Sequence, residues 1–267
     1  MRLDKMKAAH EVLARLDYPP GRVERGYNDR TLYINLSRMK ISVKPVSDYM
    51  KKIFTGGKGF DLYLMWHSLP KKPVAWDSTL NEICISAGPL GGTPSFSGSG
   101  KSLVTGISPT TGSVMDSNVG GHFGPLLKFA GFDALEIQGK AKQDVLVIID
   151  GTNNRVTVET CPHEAPNSAD LAEQLHRMYA DSSEELQGVG VVSAGQGAEH
   201  TLIGCLNFSF WDYKRDMARM KQAGRGGLGT VFRDKHLRAL VAKSFVNRPS
   251  WVMRAATRGQ RGVRTIS

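Results

Sequence analysis

Two glycine-dense segments constrain this 267-residue sequence more than any other feature. The first runs from Asp116 to Gly124 (DSNVGGHFG), and the second runs from Gly224 to Gly229 (GRGGLG). Glycine permits positive φ angles and lets backbone N–H and C=O groups approach a ligand with no Cβ in the way. Both segments carry polar residues and lead into apolar stretches, so we interpret each as a turn. The pair indicates a bound anion, with a phosphate as the first candidate.

The composition is that of an ordinary globular protein. Hydrophobic residues make up 40% and charged residues 22% of the chain, which is typical of soluble domains with a sizeable core. No apolar run approaches the ~18 residues that a membrane-spanning helix needs. The N-terminal residues have scattered charges and no apolar secretory region. The sequence therefore predicts a cytoplasmic protein with no membrane partner.

The net charge of +10 is concentrated at one end of the sequence. The last twenty residues hold five arginines and no acidic residue. No basic helix interleaved with aromatic residues and no zinc-finger or RNA-recognition signature is present, so we expect no nucleic-acid partner. Cys84, Cys161 and Cys205 are far apart and form no CxxC pair. This spacing argues against a self-contained zinc or iron–sulfur site and against a disulfide framework.

Hydrophobic periodicity predicts an α+β fold. Residues 2–17 have apolar positions three and four apart, which indicates an amphipathic helix ended by Pro19-Pro20-Gly21. Many short strands with interspersed helices favour α+β over a parallel βαβ sheet. The predicted strands are 31–36, 40–46, 82–87, 102–107, 134–138, 145–150, 155–160, 190–193, 200–207 and 237–242; the predicted helices are 47–54, 60–69, 124–130 and 168–179, with a short helix after the second glycine segment.

The stretch Ser97–Ser102 (SGSGKS) is similar to the end of a phosphate-binding P-loop, which would indicate nucleotide hydrolysis. The first glycine of that motif is replaced by Ser95. A P-loop must also open a helix, whereas Leu103–Pro109 is β-branched and contains Gly and Pro. The sequence therefore favours a different ligand, although nucleotide hydrolysis remains an alternative that loss of ATP binding in Lys101→Ala would test.

The order of several motifs resembles the N-terminal domain of the tungsten-dependent aldehyde:ferredoxin oxidoreductases. The resemblance spans roughly residues 26–243. The motifs that carry it are Ala87–Leu90 (AGPL), Gly92–Pro94 (GTP), Ser108–Gly112 (SPTTG), Asp116–Gly121 (DSNVGG), Phe123–Pro125 (FGP), Leu127–Ala134 (LKFAGFDA), Gly139–Ala141 (GKA) and Gly224–Gly229 (GRGGLG).

This resemblance implies two mostly antiparallel β-sheets with flanking helices, which form the floor of a tungsten (or molybdenum) bis-pyranopterin site. It implies a Mg²⁺ ion shared by the pterin phosphates and held partly by the backbone carbonyls of Asn118 and Gln222, since Mg²⁺ prefers oxygen ligands and often bridges phosphates. Arg225 is the best candidate for a side-chain contact to the cofactor. The cofactor-binding residues implied together are Lys101, Asn118, Gly120, Gly121, Lys221, Gln222, Gly224, Arg225 and Gly226.

Two departures from the family pattern affect this expectation. Lys58 and Lys101 stand where the family commonly has arginine near the pterin, and lysine cannot make a bidentate guanidinium contact. The family enzymes are also about twice as long, and their C-terminal domains carry the cysteines of a [4Fe–4S] cluster and the acid/base residues. We therefore expect no catalytic residue on this chain and no activity without complementing C-terminal domains or a complementing subunit.

The predicted organisation is an N-terminal helical extension (1–25), a pterin-binding domain (26–243) and a basic, disordered tail (244–267). The resemblance implies an oxidoreductase that oxidises aldehydes to carboxylic acids and transfers electrons to an iron–sulfur acceptor. It further implies ferredoxin or another redox partner, and a possible homo-oligomer. The alternative is a non-catalytic scaffold or remnant that keeps this fold.

Overall fold

The computed structural model of the chain describes residues 3–93, 98–165 and 167–245. The strands in chain order are β1 (Val12–Asp17), β2 (Arg30–Asn35), β3 (Lys40–Pro45), β4 (Ile83–Ser86), β5 (Ser102–Ile107), β6 (Val114–Val119), β7 (Ala134–Gln138), β8 (Val145–Asp150), β9 (Arg155–Thr160), β10 (Val189–Ser193), β11 (Leu206–Asp212), β12 (Met217–Ala223) and β13 (Leu237–Lys243). The α-helices are α1 (Leu3–Ala8), α2 (Asp48–Phe54), α3 (Lys58–Ser68), α4 (Phe123–Phe129), α5 (Ser168–Tyr179) and α6 (Leu228–Asp234), with 3₁₀ turns at Glu185–Gly188 and Gln196–His200.

The strands form two mixed sheets. The seven-stranded sheet has the order β1-β9-β8-β13-β10-β11-β12, and the six-stranded sheet has the order β3-β2-β7-β4-β5-β6. The pairs β8–β13 and β2–β7 are parallel, and the other pairs are antiparallel. The prediction of an α+β fold with two mostly antiparallel sheets is therefore confirmed.

The main hydrophobic core lies between the two sheets and includes apolar residues of α4 and α6. The alternation of side chains along β8 shows how one strand serves two cores. Val147 faces the central core, whereas Leu146 and Ile148 face a second core that α1 and α5 cover. A third core lies between the six-stranded sheet and the pair α2 and α3. Both sheets are thus covered on both faces.

Local sequence signals explain where the helices begin. Asn167 is the N-cap of α5, and its side-chain oxygen accepts hydrogen bonds from the backbone N–H groups of Ala169 and Asp170, both at 2.9 Å. The Ser47 hydroxyl caps α2 by accepting from the N–H of Met50 at 3.1 Å. Such caps satisfy backbone donors that have no partner within the helix. Several predicted elements match the structure at both ends, namely Ser102–Ile107, Ala134–Gln138, Val145–Asp150, Arg155–Thr160 and Ser168–Tyr179.

The predicted helix over residues 2–17 is wrong for its second half. Only Leu3–Ala8 is helical, and Val12–Asp17 is an edge strand that pairs with β9. Ala14 and Leu16 are the two half-buried positions of this strand. Their spacing of two residues is typical of a strand, but Leu16 also fits the spacing of three and four that predicts a helix. Long-range pairing with β9 decides between the two readings, because it supplies backbone hydrogen bonds and a partly buried face.

Two further predictions need correction. The strand predicted over 200–207 begins at Leu206, and the exposed Leu202 and Ile203 precede it in a loop. The segment Asp116–Gly124 is not a turn throughout, because its residues up to Val119 belong to β6. Pairing with β5 keeps these polar residues extended.

No helix in the three described stretches of the chain is long and apolar enough to cross a membrane. The predicted basic tail, from residue 246 onward, lies outside the described residues.

Candidate cofactor-binding face

The two glycine-dense segments meet where the two sheets approach each other. β6 and β12 are each the terminal strand of their sheet, and a glycine segment follows each of them. The backbone N–H of Arg225 donates to the Ser117 hydroxyl at 3.2 Å. A Cβ placed on Gly120 would lie 3.7 Å from Cγ of Lys221. The structure therefore brings together segments that are a hundred residues apart in sequence.

Cationic side chains surround this junction. Lys58 Nζ lies 2.6 Å from Oδ1 of Asp116, and Nη2 of Arg225 lies 3.5 Å from Oδ2 of the same carboxylate. Lys58 is 56% and Arg225 is 65% exposed at the side chain, so these ion pairs contribute about 1 kcal/mol or less each. Both cations are available to an anion, and Asp116 holds them at the same edge.

Lys101 and Lys221 complete the group of cations. The turn before Lys101 packs on the first glycine segment, because a Cβ on Gly100 would lie 3.3 Å from the carbonyl oxygen of Gly121. Lys221 is exposed at the end of β12, beside Gly120. The predicted contacts Lys101, Lys221 and Arg225 thus lie around one face, which we call the glycine face: Lys101, Asn118–Gly121 and Lys221–Gly226.

A buried lysine fixes the neighbouring loop. Lys128 is 2% exposed, and its Nζ donates to the carbonyl oxygens of Gly26 at 2.6 Å and Gly88 at 2.7 Å. Burial lowers the pKa of this ammonium group to about 8. The N–H of Gly92 donates to the carbonyl of Ser99 at 2.9 Å, which ties this loop to the turn before Lys101. These hydrogen bonds fix Gly88 and Gly92 beside the glycine face.

The glycines of the face are of two kinds. Gly121 and Gly226 have φ angles of +105° and +75°, so the backbone itself requires glycine there. Gly120 and Gly224 have no positive φ. A Cβ on Gly224 would meet nothing within 4 Å, and one on Gly120 would meet only the Lys221 side chain. The fold of the described residues does not require glycine at these two positions, and the open space above them fits a group that approaches the backbone.

The predicted Mg²⁺ ligands Asn118 and Gln222 lie on the two edge strands of this face. Asn118 is opposite Leu103 on β5, and Gln222 is opposite Asn207 on β11. Both residues are exposed. The three described stretches hold no group of three His, Cys, Asp or Glu residues suited to a metal ion. Backbone carbonyls and phosphate oxygens are therefore the donors that the Mg²⁺ prediction requires, and it stays a prediction.

The P-loop alternative does not fit the structure. Residues 94–97, at the start of that motif, lie outside the described part. Lys101 is followed directly by β5, Ser102–Ile107, whereas a P-loop requires a helix at that point. The expectation that no helix follows Lys101 is confirmed, and this observation disfavours the nucleotide alternative.

Sequence reasoning missed the roles of Asp116 and Ser117. Both residues belong to the first glycine segment, of which the sequence analysis assigns only Asn118, Gly120 and Gly121 to the site. The structure shows that Asp116 contacts Lys58 and Arg225, while Ser117 binds the backbone of the second segment. The available signal is their polar character between two apolar residues, Met115 and Val119.

Comparison with known proteins identifies relatives over the same region. The profile of the family "Aldehyde ferredoxin oxidoreductase, N-terminal domain" matches residues 31–244. The tungsten-containing aldehyde ferredoxin oxidoreductase of Pyrococcus furiosus is 31% identical over 214 residues, which cover 80% of this chain and 33% of that protein. The corresponding protein of Pyrococcus horikoshii is 30% identical over 222 residues, 82% of this chain and 33% of its own length.

Two further comparisons, one with a curated sequence and one with a solved structure, match the same part of the chain. An aliphatic sulfonate oxidoreductase, WOR-like subunit, of Pyrococcus furiosus is 29% identical over 231 residues, with 81% of this chain and 34% of that protein covered. A solved structure, the active site complex BamBC of benzoyl coenzyme A reductase with 1,5-dienoyl-CoA, superposes with a TM-score of 0.69 at 24% identity, covering 82% of this chain and 31% of that one. This likeness shows the shared fold. The chain spans about a third of the length of the curated relatives it matches, and it belongs to the aldehyde ferredoxin oxidoreductase N-terminal domain family.

Proposed function

We propose that the glycine face is one wall of a tungsten (or molybdenum) bis-pyranopterin site. The whole enzyme would oxidise aldehydes to carboxylic acids and pass two electrons to an iron–sulfur acceptor such as ferredoxin. Two relatives named as tungsten-containing aldehyde ferredoxin oxidoreductases support this proposal. Because they are about three times as long as the matched region, the other wall and a [4Fe–4S] cluster would belong to complementing domains or a complementing subunit.

One observation carries the proposal, namely the uncovered backbone at Gly120 and Gly224 beside Arg225 and the three lysines. The open space lets N–H groups reach phosphate oxygens, and the cations offset the negative charge. Lysine acts as a point charge, while Arg225 can make a planar two-pronged contact. Carbonyls of Asn118 and Gln222 would complete the shell of a Mg²⁺ ion that the phosphates share. The bound cofactor would supply the two-electron chemistry, and these residues would bind and orient it.

The test is to purify the chain from its native host together with whatever polypeptides accompany it, and to measure tungsten, molybdenum and pterin per chain. We expect stoichiometric metal and pterin in the parent and a severalfold loss in Gly224→Val, because the side chain fills the space that the cofactor needs. Gly197→Val is the matched control. Gly197 is also an exposed glycine at which a Cβ would meet nothing within 4 Å, but it lies in the 3₁₀ turn Gln196–His200.

The outcomes separate the two candidate functions. Equal metal and pterin contents in both valine variants would refute the role of the glycine face. A folded parent with its partners but without metal and pterin would overturn the proposal and favour a non-catalytic scaffold. In such a scaffold, the ion pairs of Lys58 and Arg225 with Asp116 would contribute to stability alone.

A further inference from the structure

A row of polar side chains crosses the six-stranded sheet beneath α3. Glu136 of β7 is directly opposite Cys84 of β4, Cys84 is opposite Thr105 of β5, and Thr105 is opposite Asp116 of β6. Directly opposed residues point to the same face of a sheet with Cβ atoms about 5 Å apart. The row therefore advances in short, regular steps from the middle of the sheet to the glycine face.

Helix α3 contributes a further acid, Asp61, to the row. The hydroxyl of Thr105 donates to Oδ2 of Asp61 at 2.9 Å. Lys58, one turn before Asp61 on the same helix, contacts Asp116. The helix therefore links the interior end of the row to its end at the candidate cofactor site.

The other end of the row reaches solvent. Glu82 accepts hydrogen bonds from the Ser68 hydroxyl and, at 3.9 Å, from the Cys84 thiol. Lys44 Nζ lies 2.7 Å from Oε2 of Glu136. Lys44 is 41% exposed at the side chain and belongs to β3, the strand at the far edge of the sheet. The row thus connects two edges of the sheet through its interior.

Three of these groups are buried acids with unused hydrogen-bonding capacity. Asp61, Glu82 and Glu136 are all 0% exposed, and each has one carboxyl oxygen that finds no hydrogen-bond partner among the described residues. An ionised carboxylate without partners is very costly in such a place. Burial raises the pKa of Asp61 to about 8 and that of Glu82 to about 7, and it also raises the pKa of Glu136.

Few charges are available to stabilise three ionised acids. Among the described residues, the charged groups that face the row are Lys58 and Asp116 at the glycine face, Lys44 at the far edge and Lys235 near Glu82. Protonation removes this cost, and a protonated carboxyl offers an O–H donor to a neighbouring group or to a buried water. A carboxyl that holds a proton near neutral pH can accept and release one with little change in free energy.

We propose that Asp61, Glu82 and Glu136 form a proton relay between the glycine face and solvent at Lys44. In each step, an O–H bond of one carboxyl or water breaks as an O–H bond of the next one forms, so the proton count of the row is unchanged after a passage. Under the proposed function the relay has a clear use: oxidation of an aldehyde by water yields an acid, two electrons and two protons. The electrons go to the iron–sulfur acceptor, and the row carries the protons away.

Infrared spectroscopy of the full chain tests the relay without cofactor or activity. Protonated carboxyls have a C=O band that shifts when the proton is exchanged for deuterium. We expect such bands at neutral pH, with the Asp61 band identified by its loss in Asp61→Asn. In D₂O this band shifts at a rate set by proton transfer along the row, because the relay reaches solvent through Lys44.

Matched variants separate a relay from isolated buried acids. Glu136→Gln and Lys44→Met interrupt the path and slow the shift of the Asp61 band at least tenfold. Lys40→Met, on the same edge strand β3 but outside the row, leaves the rate unchanged. A neutral-pH spectrum without buried protonated carboxyls overturns the relay. So does an Asp61 band that exchanges as slowly as the sheet amides, or at the same rate in Glu136→Gln. Thermal unfolding confirms that each variant is folded, and none of these results depends on whether the chain binds pterin.

Discussion

Replacing Asp61 by Asn should change how the stability of the protein depends on pH. Asp61 is fully buried, and its pKa is about 8 in the folded chain, against ~3.9 for an unfolded aspartate. At any pH between these two pKa values, the folded state holds a proton on Asp61 that the unfolded state has released. The contribution of Asp61 to stability is therefore complete below about pH 4. It is lost progressively as the pH rises towards 8.

The size of the effect follows from linkage. One proton held only by the folded state lowers the free energy of unfolding by about 1.4 kcal/mol for each pH unit of increase. From about pH 5 to about pH 7 the parent should therefore lose about 3 kcal/mol relative to Asp61→Asn. The amide oxygen of the variant can still accept the hydrogen bond from Thr105. The amide cannot ionise, so the variant lacks this contribution to the slope of unfolding free energy against pH.

Urea unfolding at a series of pH values measures the difference between parent and variant. Groups distant from Asp61 titrate in the same range in both proteins and cancel in the difference. Asp77→Asn, at an exposed position, is the matched control for the chemical change. A difference in unfolding free energy between parent and Asp61→Asn that is constant across this pH range would refute the reasoning, because it would mean that Asp61 is ionised in both states.

Three further substitutions test how the fold is held together. Gly229→Ala should destabilise the protein by about 1–3 kcal/mol, because its Cβ would lie 2.3 Å from the carbonyl oxygen of Cys205; a melting temperature equal to the parent's would contradict this contact. Asn167→Ala should cost about 1 kcal/mol in chemical unfolding through loss of the α5 cap, and Asn167→Asp should restore most of it. Burial lowers the pKa of His176 to about 4, so the parent should lose about 1.4 kcal/mol per pH unit as the pH falls from ~6.5 to about 4. In His176→Gln that acid-dependent loss should be missing from the same urea titrations, and its persistence would count against a buried neutral histidine hydrogen-bonded to Ser209.

Local patterns predicted much of the fold and part of the candidate site. The strands Val145–Asp150 and Arg155–Thr160 and the helix Ser168–Tyr179 follow from apolar spacing and turn residues within each segment. The glycine segments around Gly121 and Gly226 could also be found locally, because positive φ angles require glycine. Their motif order predicted the family, which the comparisons confirm.

Long-range pairing decided what the sequence left open. Residues 12–17 fit one face of a helix, yet β9 binds them as a strand. Glu136, Cys84 and Thr105 each sit in an apolar strand, and nothing in their local sequence indicates that they form one row.

The sequence by itself determined which segments form turns, which alternate apolar and polar residues, and which can expose their backbone. These properties depend on residues a few positions apart. Only the tertiary structure decided that Arg225 and Lys58 meet at Asp116, and that Asp61, Glu82 and Glu136 are shielded from bulk solvent in the same layer. The physical reason is that ion pairing and desolvation depend on neighbours in space. In this protein, strand pairing brings those neighbours from distant parts of the chain.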